Sequence, residues 1–166
     1  MLNLGKGGGQ PVVEIYVDAD ACPVKAEIYK VAGRTGCKVW IVANSPLRLP
    51  TDCVSELVVV SDGFDAADDW IAERAGATDV VVTADIQLAD RCVKHNAVVI
   101  GPTGRPFTPD SIGSALATRA LMQDLRDMGV VGGGNAPMSQ QDKSKFLQTL
   151  DQAVQALKAG RRPKFR

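Results

Sequence analysis

Histidine is almost absent from this chain, aromatic residues make up only 5% of it, and no long apolar run interrupts it. The one histidine, His95, falls at the end of an expected helix, which argues against zinc proteases and histidine-based triads. No apolar stretch approaches the roughly 18 residues that a membrane-crossing helix needs. The opening MLNLGKGGGQP also lacks the apolar core of a secretory signal, so the expectation is a soluble, cytoplasmic protein. The four cysteines, Cys22, Cys37, Cys53 and Cys92, stand 15, 16 and 39 residues apart, which fits neither a zinc CxxC pattern nor a disulfide scaffold. Gly132 to Gly134 follows no strand and precedes no Lys-Ser or Lys-Thr, so it fails as a phosphate loop.

What the chain does have is enough apolar residues, 45% of 166, to bury one core without comfortably filling two. The expected layout is a glycine-rich leader over 1–11, a single domain over 12–158 and a basic tail over 159–166. Formal charge is zero but unevenly distributed. Residues 1–90 hold 14 Asp or Glu against 7 Lys or Arg, and residues 91–166 hold 5 against 12. Carboxylates gather hard cations and basic side chains gather phosphates, so this asymmetry suits a metal-dependent enzyme acting on a phosphate ester. Two separately solvated faces would give the same count.

The stretch around which the rest is organised is Val12 to Lys25, VVEIYVDADACPVK, an apolar run that stops at Asp18 and Asp20. It reads as a strand whose lip carries the carboxylates, with Pro23 in the first turn of the helix that follows. Further strands are expected at Lys38–Ala43, Leu57–Val60, Val80–Thr83 and Ala97–Ile100. The helices between them are marked by Val24, Ile28, Val31 and Ala32 up to Gly33, by Ala67, Trp70, Ile71 and Ala75, and by Leu88, Ala89, Cys92 and Val93. The connection PLRLPTDCVSE, with two prolines, reads as a loop or short irregular helix. A helix from Thr108 to Met128 and a last one opened by Ser139 and Asp142, with Phe146, Leu147, Leu150, Val154 and Leu157 inward, complete the chain. Strands this continuously apolar belong to a sheet covered on both faces. The fold class is therefore α/β, doubly wound, a three-layer α/β/α sandwich with a central parallel five-stranded sheet.

In such a sheet Asp18, Asp20, Asp62, Asp65, Asp68 and Asp85 gather near the carboxyl ends of the strands, with Asp90 further along its helix. Oxygen-only ligands of this kind suit Mg²⁺ or Mn²⁺, which activates water and neutralises a phosphodiester in its transition state. Asp18, Asp20, Asp65, Asp68, Asp85 and Asp90 are the candidate ligands, Asp18 and Asp85 the candidate catalytic pair. Aspartates at helix starts also stabilise by capping and by meeting the helix dipole, so Asp65, Asp68 and Asp69 have a purely structural alternative. Lys25, Asn44, Ser45, Arg119 and Arg126 are candidates for holding substrate phosphates. Cys22, expected where a helix begins, is a candidate reactive thiol, though no histidine lies near it in sequence to serve as its base.

The strings VDADACPVK, VANS, SDGFDAADDWI, VVTADIQLAD and GPTGRPF, with the helix around Phe146 to Leu150, resemble the YaiI/YqxD family of bacterial proteins over about residues 12 to 158. That family is similar in fold to PIN-like domains, metal-dependent nucleases with a parallel sheet and an acidic pocket. The resemblance implies that Asp18 corresponds to the PIN aspartate after the first strand and Asp85 with Asp90 to the T-x-D-x-x-L-A-type segment. Asp65 or Asp68 would supply the intermediate acidic residue. Asp20 and the Cys22-Pro23 pair depart from the PIN pattern.

Four readings follow. The first is a Mg²⁺- or Mn²⁺-dependent nuclease acting on RNA or another phosphate ester. The second is a phosphatase of the haloacid-dehalogenase kind, because Asp18-x-Asp20 after an apolar strand resembles that family's nucleophile and acid. The third, a receiver-like domain, is weakened by Gly101-Pro102 where a lysine is expected. The fourth is a non-catalytic RNA- or partner-binding module.

Overall fold

The computed structural model describes residues 11–61, 65–114, 116–118 and 138–165. Asp62, Arg119, Arg126 and the glycine-rich loop fall outside these residues.

Five parallel strands form the centre: β1 (Glu14–Asp18), β2 (Lys38–Ala43), β3 (Ser55–Val59), β4 (Val80–Val82) and β5 (Val98–Ile100). A sixth, β6 (Pro106–Phe107), pairs antiparallel with β5, so the expected all-parallel five-stranded sheet is a mixed sheet of six in the order β3-β2-β1-β4-β5-β6. Two residues, one a proline without an N–H, give no periodic signal, and an edge is where a strand tolerates proline. The helices are α1 (Lys25–Thr35), α2 (Ala66–Arg74), α3 (Ile86–Lys94), a helical stretch at 109–114 (α4) and α5 (Gln140–Lys158).

Alternate strand residues go to opposite faces, and both faces are covered. Ile15, Val17, Val39, Ile41, Ala43, Val80, Val82, Val98 and Ile100 pack with Ile28 and Val31 of α1 and with Phe146, Leu150, Val154 and Leu157 of α5. Tyr16, Val42, Val81 and Val99 pack on the other side with Ile71 of α2 and with Leu88, Ala89 and Cys92 of α3. This double burial is why the strands read as unbroken apolar runs. The start of α5 is closed by a reciprocal capping box, in which Asp142 N donates to Ser139 Oγ at 3.0 Å.

Several boundaries differ from expectation for local reasons. Helix α1 does not stop at Gly33 but runs to Thr35 and ends on Gly36, whose φ of 76° is the left-handed cap. Gly33 lies inside the helix because the β2–β3 connection crosses it there: a Cβ would sit 2.6 Å from the Asp52 carbonyl oxygen. A 3-10 turn at Ala19–Ala21 separates β1 from α1, so Pro23 precedes the helix rather than occupying its first turn. The basic tail is docked. Arg162 donates to the carbonyls of Ala77 and Asn96 at 2.6 and 2.8 Å, and Gln152 Nε2 donates to Lys164 O at 3.0 Å. Among the described residues no helix is long and apolar enough to cross a membrane.

Candidate functional site

Strand order alone singles out one edge. From β1 the chain steps outward through β2 to β3, then returns across to β4 and continues the opposite way through β5. The carboxyl ends of β1 and β4 therefore diverge at a topological switch point, where helix starts leave a crevice. A cavity of about 580 Å³ opens there, lined by Asp18, Asp20, Asp65, Asp68 and Asp85 together with Cys22, Asn44, Thr83, Gln87 and Pro102.

Asp18 closes β1, and the register that sets Val17 against Val82 brings Thr83 beside it. Thr83 is buried, at 2% exposure, and its hydroxyl does two things. It donates to Asp18 Oδ2 at 3.0 Å and accepts the Asp85 backbone N–H at 3.0 Å. Asp85 caps α3, its Oδ1 accepting from the amides of Gln87 at 2.8 Å and Leu88 at 3.3 Å. Its capping and its place in the cavity are thus compatible, because one carboxylate oxygen serves the helix. Thr83 was not among the residues singled out from sequence. The signal was there as the hydroxyl that ends the VVT run directly before Ala84-Asp85.

The electrostatics follow from crowding. Burial holds the Asp18 carboxyl above its ordinary range; the Thr83 hydrogen bond opposes this, and the charges of Asp85 and Asp20 add to it. Asp68, on the first turn of α2, is pushed up to about 6 by burial and by the charges of Asp85, Asp18 and Asp65, with Arg91 pulling the other way. Among the described residues, no three carboxylate, thiol or imidazole groups stand close enough as placed to enclose a metal ion.

The remaining candidates separate. Asp20 is at the cavity wall, and both its oxygens meet the Asn44 backbone N–H, at 3.2 and 3.0 Å. Asn44 lines the cavity; Ser45 is exposed and does not. Asp90 is not in the cavity: it pairs with Lys94 at 3.0 Å. Five residues of α-helix turn the chain by about 140° away from the direction of Asp85, which takes Asp90 off that face. Asp69 likewise points elsewhere, to Arg91 at 2.8 Å. Lys25 borders the site, donating through Nζ to the Cys22 carbonyl at 3.3 Å. Cys22 lines the cavity but is buried, and burial pushes its thiol up; the Val24 backbone hydrogen bond and Lys25 only partly offset this. Helix α1 begins three residues later, at Lys25, so the thiol does not stand at that helix's start, and Cys22 is also part of the core cluster.

Residues 16–156 match the family described as "Uncharacterized BCR, YaiI/YqxD family". A UPF0178 protein of Rhodospirillum centenum is 56% identical over 154 residues, covering 90% of this chain and 100% of the relative. Another, from Sphingopyxis alaskensis, is 60% identical over 147 residues, covering 88% of this chain and 96% of the relative. A third, from Agrobacterium fabrum, is 57% identical over 145 residues, covering 87% and 95%. No solved structure matches the chain.

Proposed function

This chain belongs to the uncharacterised bacterial YaiI/YqxD family, and from its pocket we propose that it is a divalent-cation-dependent phosphodiesterase cleaving nucleic acid, RNA foremost. The observation that carries the reading is the meeting of Asp18 from β1, Asp68 from α2 and Asp85 from α3 in one cavity at the β1/β4 switch point. Burial first, and the neighbouring carboxylate charges second, raise the proton affinities of Asp18 and Asp68, and a hard dication would offset both costs of ionising them.

The donor set suits Mg²⁺ or Mn²⁺. Mg²⁺ keeps several of its waters and takes only one or two carboxylates directly, so an open acidic pocket is a better match to it than a closed cage. Asp18, Asp68 and Asp85 would hold the cation, with Asp65 and Asp20 at the wall. A cation bound there would activate water and neutralise charge on a phosphoryl oxygen. The chain's own part is to fix the carboxylates: Thr83 orients Asp18, and the amides of α3 orient Asp85. Resemblance to PIN-like nucleases supports the same reading. The haloacid-dehalogenase alternative requires Asp20 as a free acid partner to Asp18, whereas its oxygens meet the Asn44 amide.

The test is cleavage of single-stranded RNA and DNA by purified protein with Mn²⁺. Cleavage is expected, to be abolished by EDTA, and to fall to background in Asp18→Asn and Asp85→Asn. Asparagine caps a helix as well as aspartate does, so Asp85→Asn removes charge without removing the cap. Intact substrates at enzyme concentrations where metal-dependent nucleases turn over would overturn the reading. Hydrolysis of p-nitrophenyl phosphate without nuclease activity would replace it with the phosphatase.

A further inference from the structure

We propose that the cavity rim carries a second anion subsite, built from Arg105 and Lys145 beside Lys25, which holds a backbone phosphate of single-stranded nucleic acid flanking the one at the carboxylates. It deepens the function proposed above and rests on it for the choice of ligand.

The geometry comes from the turn after β5. Pro102 lines the cavity. The turn is closed by Gly101 N donating to Arg105 O at 2.8 Å and Gly104 N donating to Gly101 O at 2.9 Å. Gly104, at φ 85°, lies so close to α5 that a Cβ there would be 2.9 Å from the Lys145 carbonyl carbon and 3.0 Å from Lys145 Cγ. The turn that walls the cavity is thus seated on the stem of Lys145, and its next residue is Arg105. Helices α1 and α5 run the same way: Arg34 near the end of α1 pairs with Asp151, and Lys158 at the end of α5 donates to the Thr35 carbonyl. Their starts therefore share the rim, which brings Lys25 to the same side.

Arg34, Lys38, Arg74, Arg91 and Lys94 each have a carboxylate partner within 4 Å, whereas among the described residues Arg105 and Lys145 form no such pair, and neither do Lys30 and Lys164; what sets Arg105 and Lys145 apart is their place on and against the turn that carries Pro102. The turn after β5 borders the opening through Pro102, and through Gly104 that turn rests on Lys145 of α5, while Asp65 and Asp68 line the opening from the side of α2. A ligand with one phosphate would use only the carboxylate side. A chain of phosphates satisfies both sides, with one phosphate at the cation and the next on the arginine and lysine. The basic second half of the sequence supplies this flank, as the acidic first half supplies the carboxylates.

The experiment uses full-length Asp18→Asn protein in EDTA, so that cleavage plays no part, and fluorescein-labelled single-stranded RNA and DNA oligonucleotides over a series of salt concentrations. The Arg105→Ala/Lys145→Ala pair should weaken binding about 10-fold and reduce the log–log salt slope by about 0.7, the share of the one single-strand phosphate the subsite holds. Lys30→Ala/Lys164→Ala, the same charge change at two other exposed positions, should leave both quantities unchanged. Equal losses in the two pairs, no loss in the first, or no oligonucleotide binding at low salt would overturn the subsite. Binding that depends on Arg105 and Lys145 without cleavage by the unsubstituted protein would sink the phosphodiesterase and leave the subsite. Cleavage with unaffected binding would do the reverse.

Discussion

Asp68→Asn should make this protein more stable at neutral pH in the absence of metal, the opposite of what most substitutions do. Asp68 is half-buried and faces the charges of Asp85, Asp18 and Asp65, and its carboxyl is pushed from 3.8 to about 6. At about 1.4 kcal/mol per unit, the gross cost of ionising it in the folded state is about 3 kcal/mol. Much of the side chain meets solvent, and screening reduces that to about 1 kcal/mol. The folded protein holds this proton more tightly than the unfolded chain does. The stabilisation is therefore complete below the unfolded value of 3.8 and is lost as pH rises through about 6. Asparagine keeps the shape and never ionises. Thermal unfolding in EDTA should place the variant about 2–4 °C above the unsubstituted protein near pH 7.5, with the gap closing near pH 4. Saturating Mn²⁺ should reverse the order, since a ligand at about 100 times its dissociation constant adds about 2.7 kcal/mol to the protein that binds it. A variant no more stable near neutral pH, or a gap that ignores pH, would refute the electrostatic reasoning.

Two further substitutions probe the frame that holds the pocket. Thr83→Val removes the buried hydroxyl that donates to Asp18 and accepts from the Asp85 amide, and should cost about 2–3 kcal/mol in urea unfolding, with Thr83→Ser recovering most of it. Gly104→Ala combines a left-handed φ of 85° with backbone atoms of Lys145 and Phe146 at 2.9 Å, and should cost about 2–3 kcal/mol by the same measurement. Gly113→Ala, at an ordinary φ with nothing within 4 Å, serves as the control and should be neutral or slightly stabilising.

The parallel strands were legible because the sheet is buried on both sides: VVEIYV, KVWIVA and VVV have no polar residue facing a solvated surface except near their starts. Asp18 and Asp85 were legible because strand ends and helix starts leave marks in the sequence, an abrupt carboxylate in one case and an Asx before an amphipathic run in the other. What the sequence concealed depends on contacts between distant segments. Gly33 reads as a helix stop until the Asp52 carbonyl is seen against it. The tail reads only as basic until Arg162 is seen between the carbonyls of Ala77 and Asn96. Asp90 enters as a ligand through the resemblance of its segment; in the fold it stands outside the cavity lining and pairs with Lys94.

The Asp18-Ala-Asp20-Ala-Cys22 stretch shows how two neighbouring carboxylates come to have different roles. A 3-10 turn has three residues per turn, so residues three apart eclipse one another. Ala19 and Cys22 are such a pair, and both are buried, at 1% and 9% exposure. With those two positions committed to the core, Asp20 is turned outward, where its carboxylate meets the Asn44 amide and ties the turn to the end of β2. Asp18, still on β1, is left facing Thr83 and the cavity. Asp20 and Cys22 thus fix the turn that follows Asp18, one through the end of β2 and the other through the core. The other carboxylates that line the cavity therefore come from separate elements, Asp18 from β1, Asp68 from α2 and Asp85 from the start of α3, rather than from one Asp-x-Asp stretch.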